Sequence, residues 1–303
     1  MSDTLRLSWD APADRWEEAA PLGNGRVGVM AFGGATARYA LNDATVWSGT
    51  PDGPAAALRD VLAAGAGPER LAEIRAALDA GDVRTAEALL MTFEGPYSQE
   101  FLPLGDLTVT IADAVAPAPA RVLDLDEAVL TETLQIPSGM VRRRSWVSAP
   151  ARALIVELTA DVEFTASVSL ATPLRGTPNG LGLDVEIPVD GAPLHETSVE
   201  PPLRYAEAAP DFDAFAAIAV ALDTDGFVDA APARAAVYGA RRLLIALSTS
   251  SRAEFWWADA DGEWRTASRE AIRDRAMRRA DAAAHRAPSA LLAEHLADRR
   301  RGA

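Results

Sequence analysis

Across the first 250 residues apolar and polar side chains alternate with a period of two, the spacing that sends every second side chain to one buried face of a strand. Leu107, Val109 and Ile111 alternate with Thr108 and Thr110, and Phe164, Ala166, Val168 and Leu170 alternate with Thr165, Ser167 and Ser169. Leu154 to Leu158 and Leu243 to Leu247 are more continuously apolar. Turn signals at Asn24-Gly25, Asp52-Gly53, Asn179-Gly180 and Asp225-Gly226 are spaced as in an antiparallel sheet, not as in βαβ crossovers. The pattern predicts a mainly β chain, a large antiparallel β-sandwich.

Two stretches depart from it. Pro68 suits a helix start, with Leu71, Ile74 and Leu78 on one face and Gly81 at the close. Asp82 is placed to cap a second helix carrying Val83, Ala86, Leu89, Leu90 and Phe93, which completes a helical hairpin. Residues 114–120, AVAPAPA, read as a loop. After Trp264, Ser268 can cap a helix with Ile272 and Ala276 inward, Pro288 breaks it, and Ser289 can start another with Leu291, Leu292, His295 and Leu296. The expected division is a sandwich over 1–260, with a helical insertion at about 68–94, and linker helices over 261–303. The last helix is expected to lack a partner, which would leave Leu291, Leu292 and Leu296 open to water.

Composition narrows the chemistry. The chain has 303 residues and 49% hydrophobic content, enough for a large core. It has no cysteine, which removes disulfides and thiolate nucleophiles, and its three scattered histidines predict no zinc cluster and no metal cofactor. A net charge of −15 argues against nucleic acid, although all 29 basic residues are arginine. Ten of these arginines follow Trp264 against five acids, leaving about −20 on the remainder. No apolar run reaches the roughly 18 residues that span a bilayer, and the start MSDTLRLSWD lacks the plan of a secretory signal, so the default location is the cytoplasm.

Gly23-Asn24-Gly25-Arg26-Val27-Gly28 matches G-x-G-x-x-G. That fingerprint holds pyrophosphate only between a strand and a helix N-terminus, whereas Pro21 precedes it and Val27, Val29 and Ala31 continue as a strand. The physical reading is a type I′ hairpin at Asn24-Gly25, with Gly33-Gly34 as a second turn or bulge.

The same run carries a family resemblance. Pro21-Leu22-Gly23-Asn24-Gly25-Arg26, Leu41-Asn42-Asp43 and Trp47-Ser48-Gly49 resemble, in order and spacing, the opening of the glycoside hydrolase family 95 enzymes, the α-L-fucosidases. Asp43 stands where that family usually has glutamate. Pro103-Leu104-Gly105-Asp106-Leu107, Arg121 to Leu125 with Ala128, Val141 to Ser148, and Gly239-Ala240 with Thr249 continue the likeness. Leu292, His295 and Asp298 are similar to the helix linking sandwich to barrel. The resemblance implies an N-terminal β-sandwich of an inverting, cofactor-free enzyme. Its catalytic acid and water-positioning asparagine lie in a helical barrel that this chain, ending at Ala303, is expected to lack. The partners it implies are a fucosylated oligosaccharide and that barrel.

Glycoside hydrolysis needs two carboxylates on opposite sides of a sugar, about 5 to 10 Å apart. Asp43, Glu94 and Asp106 are candidates by residue type, but most of the chain's 44 acids are expected to be solvated, and Asp106 to fix a turn. Trp47, Asn42, Asn24 and Arg26 suit sugar binding, because aromatic faces stack on pyranose rings and amides read hydroxyls. The same four also suit a core tryptophan, a loop-holding amide, or a surface turned to the barrel. Trp256-Trp257 shares that ambiguity. His195, His285 and His295 read as surface positions. The alternative overall reading is a free-standing carbohydrate-binding or scaffold sandwich.

Overall fold

The computed structural model describes residues 5–50, 53–95, 97–118, 120–193, 195–206, 214–255 and 267–302. Asp52, Trp256, Trp257 and Trp264 lie outside them. The chain divides into two compact units, one of Met1–Val46, Leu102–Ile187 and Phe215–Ala303, the other of Trp47–Phe101 and Pro188–Ala214.

Among the described residues, sixteen strands occur in chain order. They are β1 (Arg6–Trp9), β2 (Ala20–Gly23), β3 (Val27–Ala31), β4 (Thr36–Asp43), β5 (Gly105–Ile111), β6 (Arg121–Asp124), β7 (Val129–Ile136), β8 (Gly139–Ser148) and β9 (Ala153–Ala171), then β10 (Arg175–Asn179), β11 (Gly182–Glu186), β12 (Asp190–Gly191), β13 (Leu203–Arg204), β14 (Phe215–Thr224), β15 (Phe227–Ala231) and β16 (Arg234–Ser251). The helices are α1 (Gly53–Ala63), α2 (Pro68–Asp79), α3 (Val83–Leu90), α4 (Arg269–Ala284) and α5 (Pro288–Gly302).

In the first unit fourteen strands form one antiparallel sheet folded into two facing walls. The fold turns on β9 and β16. Residues 153–160 of β9 pair with β8, and residues 166–171 pair with β5. Strand β16 pairs with β15 through 234–238 and with β14 through 243–251, with bulges at 237–242 between the two stretches. Gly239 sits in that bulge at φ +64°, a conformation that disfavours any residue with a Cβ. One wall is β2-β3-β4-β5 with parts of β9 and β16, and the other continues through β8, β7, β6 and β1. Between them Tyr39 on β4 and Ser145 on β8 share a hydrogen bond of 2.8 Å, and burial pushes the Tyr39 phenol up to about 12.

Alternation explains the core. Leu107, Val109 and Ile111 of β5 are fully buried, as are Leu154–Val156 and Leu243–Ile245. The outer face of β14 presents Phe215, Ala217, Ala219 and Ala221, and α4 lays Ile272, Ala276, Ala280 and Ala283 on it. Small side chains on both partners allow this close approach. Ser268 caps α4 by accepting the Ala271 N–H at 3.1 Å.

The second unit holds α1–α3 and the small ribbon β12–β13. The expected hairpin is present: Pro68 opens α2, and Asp82 caps α3 by accepting the Thr85 N–H at 3.1 Å. Its expected apolar face is not buried, since Ile74 and Ala86 are covered while Leu71, Leu78, Val83 and Leu90 are exposed. The expected turn at Asp52-Gly53 includes Asp52, which lies outside the described residues; Gly53 opens α1, a helix that the pattern did not predict. Pro54 suits a helix start, and the alanines that follow are strong helix formers without a strand's alternation.

The tail corrects three further expectations. Pro288 opens α5 instead of only ending α4. Leu291 is fully buried in the α4 core and Leu292 packs against it. His295 is buried, not a surface residue, and its Nε2 meets the Glu127 carbonyl at 2.8 Å. Burial lowers the pKa of this imidazole, against the opposing effect of that carbonyl.

Candidate functional site: a sealed ion-pair network and a polar pocket

The hairpin joining β2 to β3 places the first two candidate residues. Gly23 pairs with Gly28, and Gly25 has φ +84°, so Gly25-Arg26 is the tip, one residue later than the expected type I′ turn at Asn24-Gly25. The side chain of Asn24 causes the shift. Its Oδ1 accepts the N–H groups of Arg26 at 3.0 Å and Val27 at 2.8 Å, and its Nδ2 donates to the Ser148 carbonyl at 3.2 Å. Gly33 and Gly34 form the expected second turn at φ +76° and +83°.

Arg26 donates to Asp43 Oδ2 from Nε at 3.3 Å and Nη2 at 3.0 Å, and it also ion-pairs with Glu254. Asp43 is fully buried and accepts from the Thr249 hydroxyl at 2.6 Å. Glu254 lies in the 3-10 turn Arg252–Phe255 and receives Arg279 of α4 at 2.9 Å and Arg275 at 3.4 Å. Burial by itself raises the Glu254 pKa, but hydrogen bonds from Arg26 and Arg279 outweigh it and hold the carboxyl at about 2. Asn42 donates to the Leu102 carbonyl at 3.2 Å, as a loop-holding amide does.

A second buried cluster was not anticipated. Arg143 grips Glu132 through Nε and Nη2, both at 2.8 Å, and Nη2 also donates to the Gly34 carbonyl at 2.7 Å. Arg121 packs beside them and donates to the Ala11 carbonyl at 3.1 Å. The parity of the strands carries the signal. Glu132 falls between inward Leu130 and Leu134, Arg143 falls between inward Val141 and Ser145, and the two are register partners.

In the second unit Trp47 is 51% exposed, so it does not fill the core, and it meets Phe101 ring to ring at 5.1 Å. Its neighbour Ser48 is buried, donating to Gln99 Oε1 at 2.6 Å and accepting the Glu100 N–H at 2.8 Å. Gly49 has φ +99°, and a Cβ there would lie 2.8 Å from Gln99 Cγ. A depression of about 680 Å³ opens here, with Ser48, Pro54, Tyr97, Gln99, Asp190 and Arg204 in its wall. Asp190 collects hydrogen bonds from Tyr97 at 2.7 Å, Gln99 at 2.7 Å and Arg204 at 2.9 Å. Burial alone raises its pKa, but these donors outweigh it and lower it, so the carboxylate stays ionised and accepts only. Such a pocket can bind hydroxyls but offers no proton to a leaving group.

The remaining candidates fall apart spatially or chemically. Asp106 lies within β5 and fixes no turn; burial raises its pKa against the pull of Arg38. Glu94, His195 and His285 are exposed. Among the described residues no group of three or more histidine or acidic side chains is placed to hold a metal ion, and no helix is long and apolar enough to cross a membrane.

The sheet folded into two walls, with its buried carboxylates Asp43 and Glu132 each paired to arginine, is what the family comparison places among N-terminal domains of glycoside hydrolases. The chain belongs to the family described as glycosyl hydrolase family 65, N-terminal domain, whose model matches residues 7–254. It is also similar to Alpha-L-fucosidase 2 of Arabidopsis thaliana, 27% identical over 165 residues. That match covers 53% of this chain and 19% of the relative, so the chain spans about a fifth of the relative's length. A solved structure, a putative kojibiose phosphorylase from human microbiome, aligns over 92% of this chain and 35% of that chain, with 8% identity and a TM-score of 0.40.

Proposed function

We propose that this domain is the non-catalytic N-terminal part of an enzyme that hydrolyses terminal α-L-fucosyl linkages in oligosaccharides, its chemistry residing on an accompanying helical barrel. The observation that carries the fucosyl assignment is the 27% identity to an α-L-fucosidase, together with the ordered run from Pro21 to Gly49. The non-catalytic part rests on chemistry. A glycosidase acid needs a raised pKa and an open approach to the glycosidic oxygen, with a second carboxylate opposite. Asp43, Glu132 and Glu254 instead sit buried against Arg26, Arg143 and Arg279.

An aryl α-L-fucoside assay tests both halves. Residues 1–303 alone release no aryl alcohol above background, whereas a polypeptide carrying this domain ahead of a helical barrel releases it without added phosphate. Turnover by residues 1–303 alone refutes the non-catalytic assignment. Cleavage by the longer polypeptide of α-glucosides only, and only with inorganic phosphate, replaces the fucosidase reading with a phosphorylase.

A further inference from the structure

The depression of about 680 Å³ in the second unit is lined by two kinds of residue. Pro54, Ala56 and Ala57 of α1 supply small apolar surface, while Gln99, Asp190 and Arg204 supply hydrogen-bonding groups. Its volume falls in the range of small-molecule sites, which combine apolar walls with a few convergent polar groups.

Those polar groups are held in place by one another. Gln99 Oε1 accepts the Ser48 hydroxyl at 2.6 Å and the Gly191 N–H at 2.9 Å, which fixes the amide and directs its Nε2 to Asp190 Oδ1 at 2.7 Å. Tyr97 and Arg204 donate to the other oxygen, Oδ2, at 2.7 and 2.9 Å. Groups fixed beforehand lose less freedom when a ligand arrives.

The network does not exhaust its members. An amide nitrogen carries two N–H groups and a carboxylate oxygen two lone pairs, so Gln99 Nε2 and Asp190 Oδ1 each keep one beyond the bond they share. The guanidinium of Arg204 has five N–H groups, more than its bonds to Asp190 use, and its side chain is exposed. Donors and an acceptor therefore line the same depression. A hydroxyl answers to both, because it donates and accepts at once. A pyranose ring presents neighbouring hydroxyls at its rim and C–H groups on its face, and the C–H face suits Pro54 and the two alanines.

We propose that this depression binds a ring of an uncharged carbohydrate, its hydroxyls on Gln99, Asp190 and Arg204 and its C–H face on α1. Every residue named belongs to the second unit. The site lies outside the fucosidase reading and stands without it.

Calorimetric titration of residues 1–303 with a fucosylated lactose trisaccharide, maltotriose, cellotriose, xylotriose and glucuronic acid tests the proposal. At least one of the neutral sugars is expected to saturate one to one, with little effect of added salt. Ala57→Phe, which fills the depression and leaves the polar network intact, should weaken that binding at least tenfold. Ala55→Phe, at an exposed position of the same helix outside the depression, should leave it unchanged. If Ala57→Phe melts early, Arg204→Gln gives the readout with at least a threefold loss, since it spares the contacts among Ser48, Gln99 and Gly191. No saturation by any neutral sugar, or full affinity in a folded Ala57→Phe protein, overturns the proposal. Equal losses in the two alanine variants overturn it as well, because the effect then belongs to the helix and not to the depression. Binding of glucuronic acid alone also overturns it and gives the site to an anion.

Discussion

Thr249 donates its hydroxyl to Asp43 at 2.6 Å, joining residues 206 positions apart and fastening the end of β16 to the end of β4. The same carboxylate accepts the Thr45 N–H at 2.9 Å, the Thr45 hydroxyl at 2.6 Å and Arg26 at 3.0 Å. Asp43 therefore organises the Leu41-Asn42-Asp43 segment without offering a free oxygen to a substrate.

Replacing Asp43 with alanine strands a partly buried guanidinium and three other donors. The expected loss is about 3–5 kcal/mol of unfolding free energy, typical of breaking a buried ion pair from one side. Urea denaturation measures it. A loss under ~1 kcal/mol would show that Glu254 alone satisfies Arg26.

Glu254 predicts a pH dependence. Its folded pKa of about 2 lies below its ordinary 4.5, so its stabilisation is complete above that ordinary value and disappears as pH falls from there through about 2. Acid titration of stability should lose roughly 2–4 kcal/mol from this group across that window. Glu254→Gln should flatten the same stretch of the curve while lowering stability at neutral pH. A variant curve parallel to the parent's across the window contradicts the depressed pKa.

Two glycines of similar conformation should respond differently. A Cβ on Gly33 would lie 2.4 Å from Arg121 Cδ and 2.6 Å from Glu132 Oε1, both pinned in the buried cluster, whereas at Gly25 nothing lies within 4 Å. Gly25→Ala should cost only the ~1–2 kcal/mol of a left-handed backbone. Gly33→Ala should cost ~1–3 kcal/mol more through overpacking. Equal melting temperatures for the two variants would show that the cluster yields.

Helix α5 is docked through Leu291. Leu291→Ala should destabilise by about 2–5 kcal/mol, while Leu58→Ala, at an exposed position on α1, should change stability by no more than ~0.5 kcal/mol. Hydrogen exchange should find α5 amides protected alongside those of α4. Rapid exchange throughout α5 would restore the picture of a loose tail.

Strand positions were legible because a period of two survives wherever one face is buried, as in Leu107 to Ile111. Pro68, Asp82 and Ser268 were equally plain, since caps and starts act locally. Helix α1 was hidden because the Asp-Gly pair before it carries a turn signal and its alanines have no apolar stripe. The docking of Leu291 and His295 was hidden for another reason: Leu291 joins a buried cluster that draws on β8, β9, β14 and β16, and His295 meets the carbonyl of Glu127, all distant in sequence. Of the candidate site, the sequence offered Asn24, Arg26 and Asn42 by residue type, but not their partners Ser148, Glu254 and Leu102, which lie far along the chain.

Strands β9 and β16, of 19 and 18 residues, each run through both walls of the sandwich. Neither wall owns a complete set of edges without them, so heat or denaturant finds no seam along which to open one and spare the other. A single protease cut between the two stretches of either strand would part the segment that belongs to one wall from the segment that belongs to the other, so these two strands are covalent ties between the walls.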